Sequence, residues 1–109
     1  MLLRSEPLDL QTVFEFRIAH GARRAHRNTL VRIEHDGVEG LGEAAPSHYY
    51  GETPETVAAA LAEWAPVLGD DPFALDALDQ RLDHALQGHG AARAGLEMAL
   101  HDWIGKKLG

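Results

Sequence analysis

The stretch TLVRIEHDGVEGLGE, residues 29–43, decides the fold. Val31 and Ile33 alternate with Arg32 and Glu34, so one side of an extended segment is apolar and the other charged. Asp36-Gly37 follows, a dipeptide that accepts positive φ at both positions, and it predicts a tight hairpin with residues 38–43 as the returning strand. Gly40 and Gly42 weaken that strand and predict a bulge, an edge or the close approach of another backbone. Upstream, Phe14, Phe16 and Ile18 alternate with Glu15 and Arg17, which predicts the first strand of an antiparallel meander of about three strands.

Downstream the period changes from two to that of a helix. Thr53 is placed to cap a helix that starts at Pro54, with Val57, Leu61, Trp64 and Leu68 on one stripe and Pro66 to end or kink it. A second helix is predicted from Asp71-Pro72, with Leu75, Leu78, Leu82 and Leu86 in register and Gly88 as its stop. A third begins near Gly90, turns Leu96, Leu100 and Trp103 inward, and carries Lys106 and Lys107 in its last turn, where they complement the dipole. Strands first and helices afterwards, within 109 residues, give one domain of the α+β class.

Composition narrows the function. A net charge of −7 argues against a nucleic-acid partner, which requires many Lys and Arg on phosphates. The absence of Cys removes disulfides, thiolate metal sites and thiol nucleophiles, and fits a cytoplasmic location. No apolar run reaches the roughly 20 residues a membrane span needs, and residues 1–10 lack the apolar core of a secretory signal. The seven His include no His-x-x-x-His pair, and Glu97 with His101 makes only two ligands, so no metal site is assigned. Neither serine sits in a nucleophile elbow.

Two loops stand out. Residues 16–33 hold half of the ten basic residues and no acid, and His20, Arg23, Arg24 and Arg27 crowd a Gly-containing turn inside that segment. Guanidinium forks suit carboxylates and phosphates, so an anionic ligand is one reading; a solvated loop that pairs with surface acids is the other. Residues 45–52 carry Tyr49 and Tyr50, amphipathic groups able to cover a ligand, or, in the plainer alternative, one ring packed on the sheet and one in water.

FRIAHGAR at 16–23, TLVRI at 29–33, GLGE at 40–43, Pro46, YGET at 50–53, AARAGLEMALHDW at 91–103 and GKKLG at 105–109 cover nearly the whole chain. Together they resemble the N-terminal capping domain of the enolase superfamily, in its mandelate racemase and muconate lactonising group, and most of all its dipeptide epimerases of the Ala-Glu type. The resemblance implies that residues 1–109 form a lid for a (β/α)-barrel and end at the helix that leads into it. It implies two specificity loops, near 20–27 and 47–52, and hence His20, Arg23, Arg24, Arg27, Tyr49 and Tyr50 as substrate-binding candidates, Arg23 being the closest match by spacing. In such epimerases the barrel supplies Mg²⁺ ligands and a Lys on each face of the substrate α-carbon, which removes and returns a proton through an enediolate. No residue of this chain takes a catalytic or metal role on that basis, and it is expected to be inactive alone. The expected partners are an anionic small molecule, an acidic dipeptide by preference, and the barrel, with a homo-oligomer also open. Sister activities remain open too: acid-sugar dehydration, cycloisomerisation and o-succinylbenzoate synthesis. So does a freestanding anion-binding module. A lid should leave an apolar patch on one face, whereas a freestanding module should close its core.

Overall fold

Both central residues of the Asp36-Gly37 turn adopt positive φ, 51° and 72°, the mirror-image geometry that matches the twist of the strands on either side. The computed structural model describes residues 1–9 and 27–109. Around the turn, strand β2 (Arg27–His35) pairs antiparallel with β3 (Val38–Ala44), in a register that sets His35 opposite Val38 and Thr29 opposite Ala44. The third strand is β1 (Leu2–Asp9), antiparallel on the other side of β2, with Leu2 opposite Glu34 and Asp9 opposite Arg27. The sheet order is β1-β2-β3.

The three-stranded antiparallel sheet is thus as expected, but one of its strands lies at residues 2–9, where the sequence predicts none. The alternating segment at 14–18 lies outside the described residues. Strand β1 hides its period because Leu2 and Leu3 point to opposite faces and Pro7 stands where an apolar residue would complete the alternation. Among the described residues it is an edge strand with one side free of ladder bonds, a position that tolerates a proline.

Helices cover one face of the sheet. Helix α1 (Pro54–Trp64) starts as predicted: Thr53 Oγ1 accepts the N–H of Thr56 at 3.1 Å, and Thr56 Oγ1 accepts that of Thr53 at 2.9 Å, a reciprocal capping box. Pro66 ends it, and a single 3₁₀ turn (Ala65–Val67) follows. Helix α2 (Leu75–Ala85) begins later than Asp71-Pro72. Asp71 closes a turn instead, its Oδ1 accepting the N–H of Phe73 at 3.0 Å, so the side chain that could have capped a helix is used before one starts.

Helix α3 (Gly90–Leu108) lies along β3, and here the glycines of that strand find their reason. A Cβ on Gly40 would fall on the carbonyl oxygen of Ala99, and one on Gly42 on that of Gly95. The expected close approach is therefore real, and β3 is also an edge. Val31, Ile33, Leu61, Trp64, Leu78, Leu82, Leu96 and Trp103 form the core between sheet and helices, each almost fully buried. Both tryptophans satisfy their indole N–H there: Trp64 Nε1 donates to Leu82 O at 3.1 Å and Leu86 O at 3.2 Å, and Trp103 Nε1 to His35 O at 2.9 Å. No helix among the described residues is long and apolar enough to cross a membrane.

Candidate functional site

The register sets where two connections leave the sheet. Residues 10–26 depart after Asp9 and return at Arg27, which are paired neighbours, and residues 45–53 depart after Ala44, which pairs with Thr29 two places along β2. Both connections therefore start from the end of the sheet opposite the Asp36-Gly37 turn. Of the basic candidates, His20, Arg23 and Arg24 lie outside the described residues. Arg27 is exposed at the first position of β2.

Arg27 opens onto a cleft of about 270 Å³ shared with Ser5, Glu6, Thr29, Pro54 and Glu55, between the end of β1 and the start of α1. As the described residues form it, the cleft is below the usual size of a ligand pocket, and its lining carries the carboxylates of Glu6 and Glu55 as well as the Arg27 guanidinium. A second groove of about 560 Å³ runs along α2 past Val67, Ala77 and His84 and contains none of the candidates. Its one guanidinium is committed elsewhere, since Arg81 donates to Val67 O and Leu68 O, each at 2.8 Å.

Arg32, also in the basic segment, is a sheet staple. It pairs with Glu6 of β1 at 2.7 Å and Glu39 of β3 at 3.1 Å, across all three strands. For this residue, pairing with surface acids is the correct reading.

The tyrosines occupy a 3₁₀ turn (His48–Tyr50) closed by Gly51 at φ 73°. Their rings meet edge to face at 5.2 Å and are 88% and 77% exposed. The alternative in which one ring packs on the sheet is therefore wrong: neither does. The turn is too short to reach back over the sheet, and its amides are spent on closing it, with Tyr50 N bonded to Ser47 O at 3.1 Å and Gly51 N to His48 O at 3.1 Å.

Glu52 was not singled out in the sequence, and it anchors the tyrosine loop. Its Oε1 accepts the N–H of Ser47 at 2.8 Å and its Oε2 that of Ala91 in α3 at 3.0 Å. The Ala91 bond first and the Ser47 bond second hold this carboxyl below the ordinary carboxylate range. One signal was available: Gly88-His89-Gly90 at the start of α3 offers no Ser, Thr, Asp or Asn cap, so an acceptor had to come from elsewhere.

Among the described residues, no three His, Asp or Glu side chains converge as a metal site, so they offer Mg²⁺ no donor set. Helix α3 carries a different feature. Ala91, Ala94, Met98, His101, Gly105 and Leu108, spaced three and four apart, form a stripe without a formal charge on its solvent side. Met98 is 51% and Leu108 73% exposed.

This arrangement, an α+β fold in which two connections leave one end of the sheet, defines a class, and comparison with known proteins identifies it. Residues 8–109 match the family described as mandelate racemase / muconate lactonizing enzyme, N-terminal domain, and the chain belongs to that family. It is thus an N-terminal capping domain of the enolase superfamily. The chain is 36% identical over 103 residues to the L-Ala-D/L-Glu epimerase of Bacteroides thetaiotaomicron, covering 94% of this chain and 27% of that protein. It is 40% identical over 103 residues to the aromatic dipeptide epimerase of Herpetosiphon aurantiacus, covering 92% of this chain and 29% of that one. A solved structure from Silicibacter pomeroyi, assigned to the mandelate racemase/muconate lactonizing enzymes, superposes with a TM-score of 0.79 at 30% identity, over 98% of this chain and 30% of its own. The chain thus spans less than a third of the length of these relatives.

Proposed function

We propose that this chain is the substrate-capping and specificity domain of a racemase or epimerase that acts on dipeptides, with acidic dipeptides preferred. The observation that carries the proposal is the common origin of the two connections: Asp9 pairs with Arg27 and Thr29 with Ala44, so the chain leaves the sheet for the basic and for the tyrosine-bearing segment at neighbouring points. Loops that start together can close on one opening. The names of the two dipeptide epimerases above support the substrate class, and a basic segment that faces a ligand suits a carboxylate.

In this reading the lid binds and orients while the chemistry lies elsewhere. Arg27, and with it His20, Arg23 and Arg24, supplies positive charge for a substrate carboxylate; Tyr49 and Tyr50 cover the ligand and offer wet hydroxyls. A (β/α)-barrel is the partner surface, and the uncharged stripe of α3 offers it the exposed Met98 and Leu108. Mg²⁺ and the groups that exchange the α-proton belong to that barrel. The cytoplasm is the proposed location, in keeping with a chain that has no Cys.

The test is a chimera in which residues 1–109 replace the matching segment of the Bacteroides epimerase, assayed in D₂O for exchange at the substrate α-carbon. The folded chimera is expected to exchange Ala-Glu faster than uncharged dipeptides, and the isolated chain to leave it unexchanged. A folded chimera that prefers uncharged or cationic dipeptides overturns the substrate assignment, and turnover by the isolated chain overturns the division of labour.

A further inference from the structure

One carboxylate joins two parts of the chain that are far apart in sequence. Helix α3 begins without a cap of its own: His89 precedes it at φ 56° and makes no side-chain bond to the first turn. Its early N–H groups therefore need an acceptor from outside, and negative charge is favoured there. Glu52 Oε2 provides one, for Ala91 at 3.0 Å. The other oxygen of the same group accepts Ser47 N at 2.8 Å, and the backbone closes the same span, Glu52 N donating to Ser47 O at 2.9 Å.

Among the described residues, only two backbone bonds hold the turn within the tyrosine tip, Tyr50 N to Ser47 O and Gly51 N to His48 O, and neither ties it to the rest of the fold. No residue of its 3₁₀ turn is buried, and the two rings touch one another in solvent. A tip that buries nothing keeps one shape only if its two ends are fixed. One end follows Ser47 and the other precedes Glu52, so the bond pair fixes both at once, against a rigid helix rather than a second loop.

We infer that Glu52 is a positioning residue for the tyrosine tip, transmitting the position of the start of α3 to Tyr49 and Tyr50. What the tip recognises rests on the function proposed above; that Glu52 positions it does not.

The experiment is ¹⁵N relaxation on the protein without ligand, comparing the wild type with Glu52→Ala, Glu52→Gln and Thr53→Ala. In the wild type the amides of Tyr49 and Tyr50 are expected near the rigid-backbone order parameter of about 0.85, and in both Glu52 variants below about 0.6. Thr53→Ala removes the side-chain cap of α1 and is expected to leave the tip as ordered as in the wild type. Unchanged tip order in both Glu52 variants would reduce Glu52 to a helix cap and overturn the inference, as would equal loosening by Thr53→Ala. A second measurement needs no variant: the amide shifts of Ser47 and Ala91 are expected to titrate with one shared midpoint below the ordinary Glu value. Separate midpoints overturn the shared clamp. A failed substrate assignment leaves all of these results untouched, because no ligand is present.

Discussion

Asp102 Oδ2 accepts the backbone N–H of Leu41 at 2.8 Å, so a side chain of the last helix occupies the free edge of β3. Lys106, one turn on, completes the cover, its Nζ 2.8 Å from the same carboxylate oxygen and 3.0 Å from the carbonyl of Glu39. An edge strand with open N–H and C=O groups invites pairing with another chain, and here a donor and an acceptor from α3 block it.

The first prediction concerns acid. The Lys106 bond first and the Leu41 bond second hold the Asp102 carboxyl below its ordinary range. Its pKa is thus lower folded than unfolded. Its contribution is complete above the unfolded value of about 3.9 and fades as pH falls through the folded value. Asp102→Asn is expected to cost roughly 0.5 kcal/mol near neutrality, since the pair is partly solvated, and progressively less as pH falls below the unfolded value. Urea unfolding of both proteins from pH 2 to pH 7 checks this: the two stability curves should converge at low pH. A constant gap across the range would mean that the charge contributes nothing.

A second prediction follows from the strand that lies under α3. Gly42→Ala would place a methyl on the carbonyl of Gly95 and 2.7 Å from the amide nitrogen of Ala99, contacts with backbone that cannot rotate away. The strand would have to part from the helix, at a cost of about 3 kcal/mol or more. Gly37→Ala, in a turn where a Cβ meets nothing but φ is 72°, should cost only about 1 kcal/mol. Chemical denaturation separates the two, and equal losses would contradict the packing described.

These residues also show what a sequence discloses. The Asp36-Gly37 turn and the Thr53-Pro54 helix start were legible because each is a local solution to a local problem: positive φ in one case, an unpaired N–H in the other. The Gly40 and Gly42 approach was half legible, because missing side chains announce a neighbour without naming it. Strand β1 was not, since Leu2 lies on the outer face while Ser5 and Pro7 stand where the inner face would be apolar. The site divides in the same way. Tyr49 and Tyr50 stood out by type and proved exposed as a pair. Arg32 stood among the basic residues but serves the sheet, and Glu52 passed unnoticed, because the partners of both lie on elements distant in the chain.

Arg93 is the third case. Its guanidinium reaches from α3 to Asp83 at 2.8 Å and Asp79 at 3.1 Å on α2, and sits over the ring of Trp64 at 5.7 Å. The Arg93 side chain is largely buried while Asp79 and Asp83 are more than half exposed, so the guanidinium reaches from between the helices to carboxylates that water also touches. Arg93→Met keeps the stem but removes the ion pairs to two solvated carboxylates, and is expected to cost about 1 kcal/mol. Lys, a point charge that cannot fork, should recover less than half of that loss. Thermal unfolding of the three proteins measures it; full recovery by Lys would mean that charge alone holds α2 to α3.

The last prediction separates recognition from stability. Tyr49 and Tyr50 bury almost nothing, so Tyr49→Ala and Tyr50→Ala should each leave the unfolding free energy within about 0.5 kcal/mol of the wild type. In a chimeric epimerase carrying this lid, the same changes should raise KM, because they remove cover from the ligand and not support from the fold. Arg27→Gln should act more selectively. A charge-assisted bond to a carboxylate is worth about 1.5–3 kcal/mol, so kcat/KM for an acidic dipeptide should fall by roughly 10- to 100-fold while an uncharged dipeptide is nearly unaffected. An equal fall for both substrates would show that Arg27 shapes the cleft without reading charge. No change for either would place it outside the site and leave the anion to the basic residues of the preceding segment.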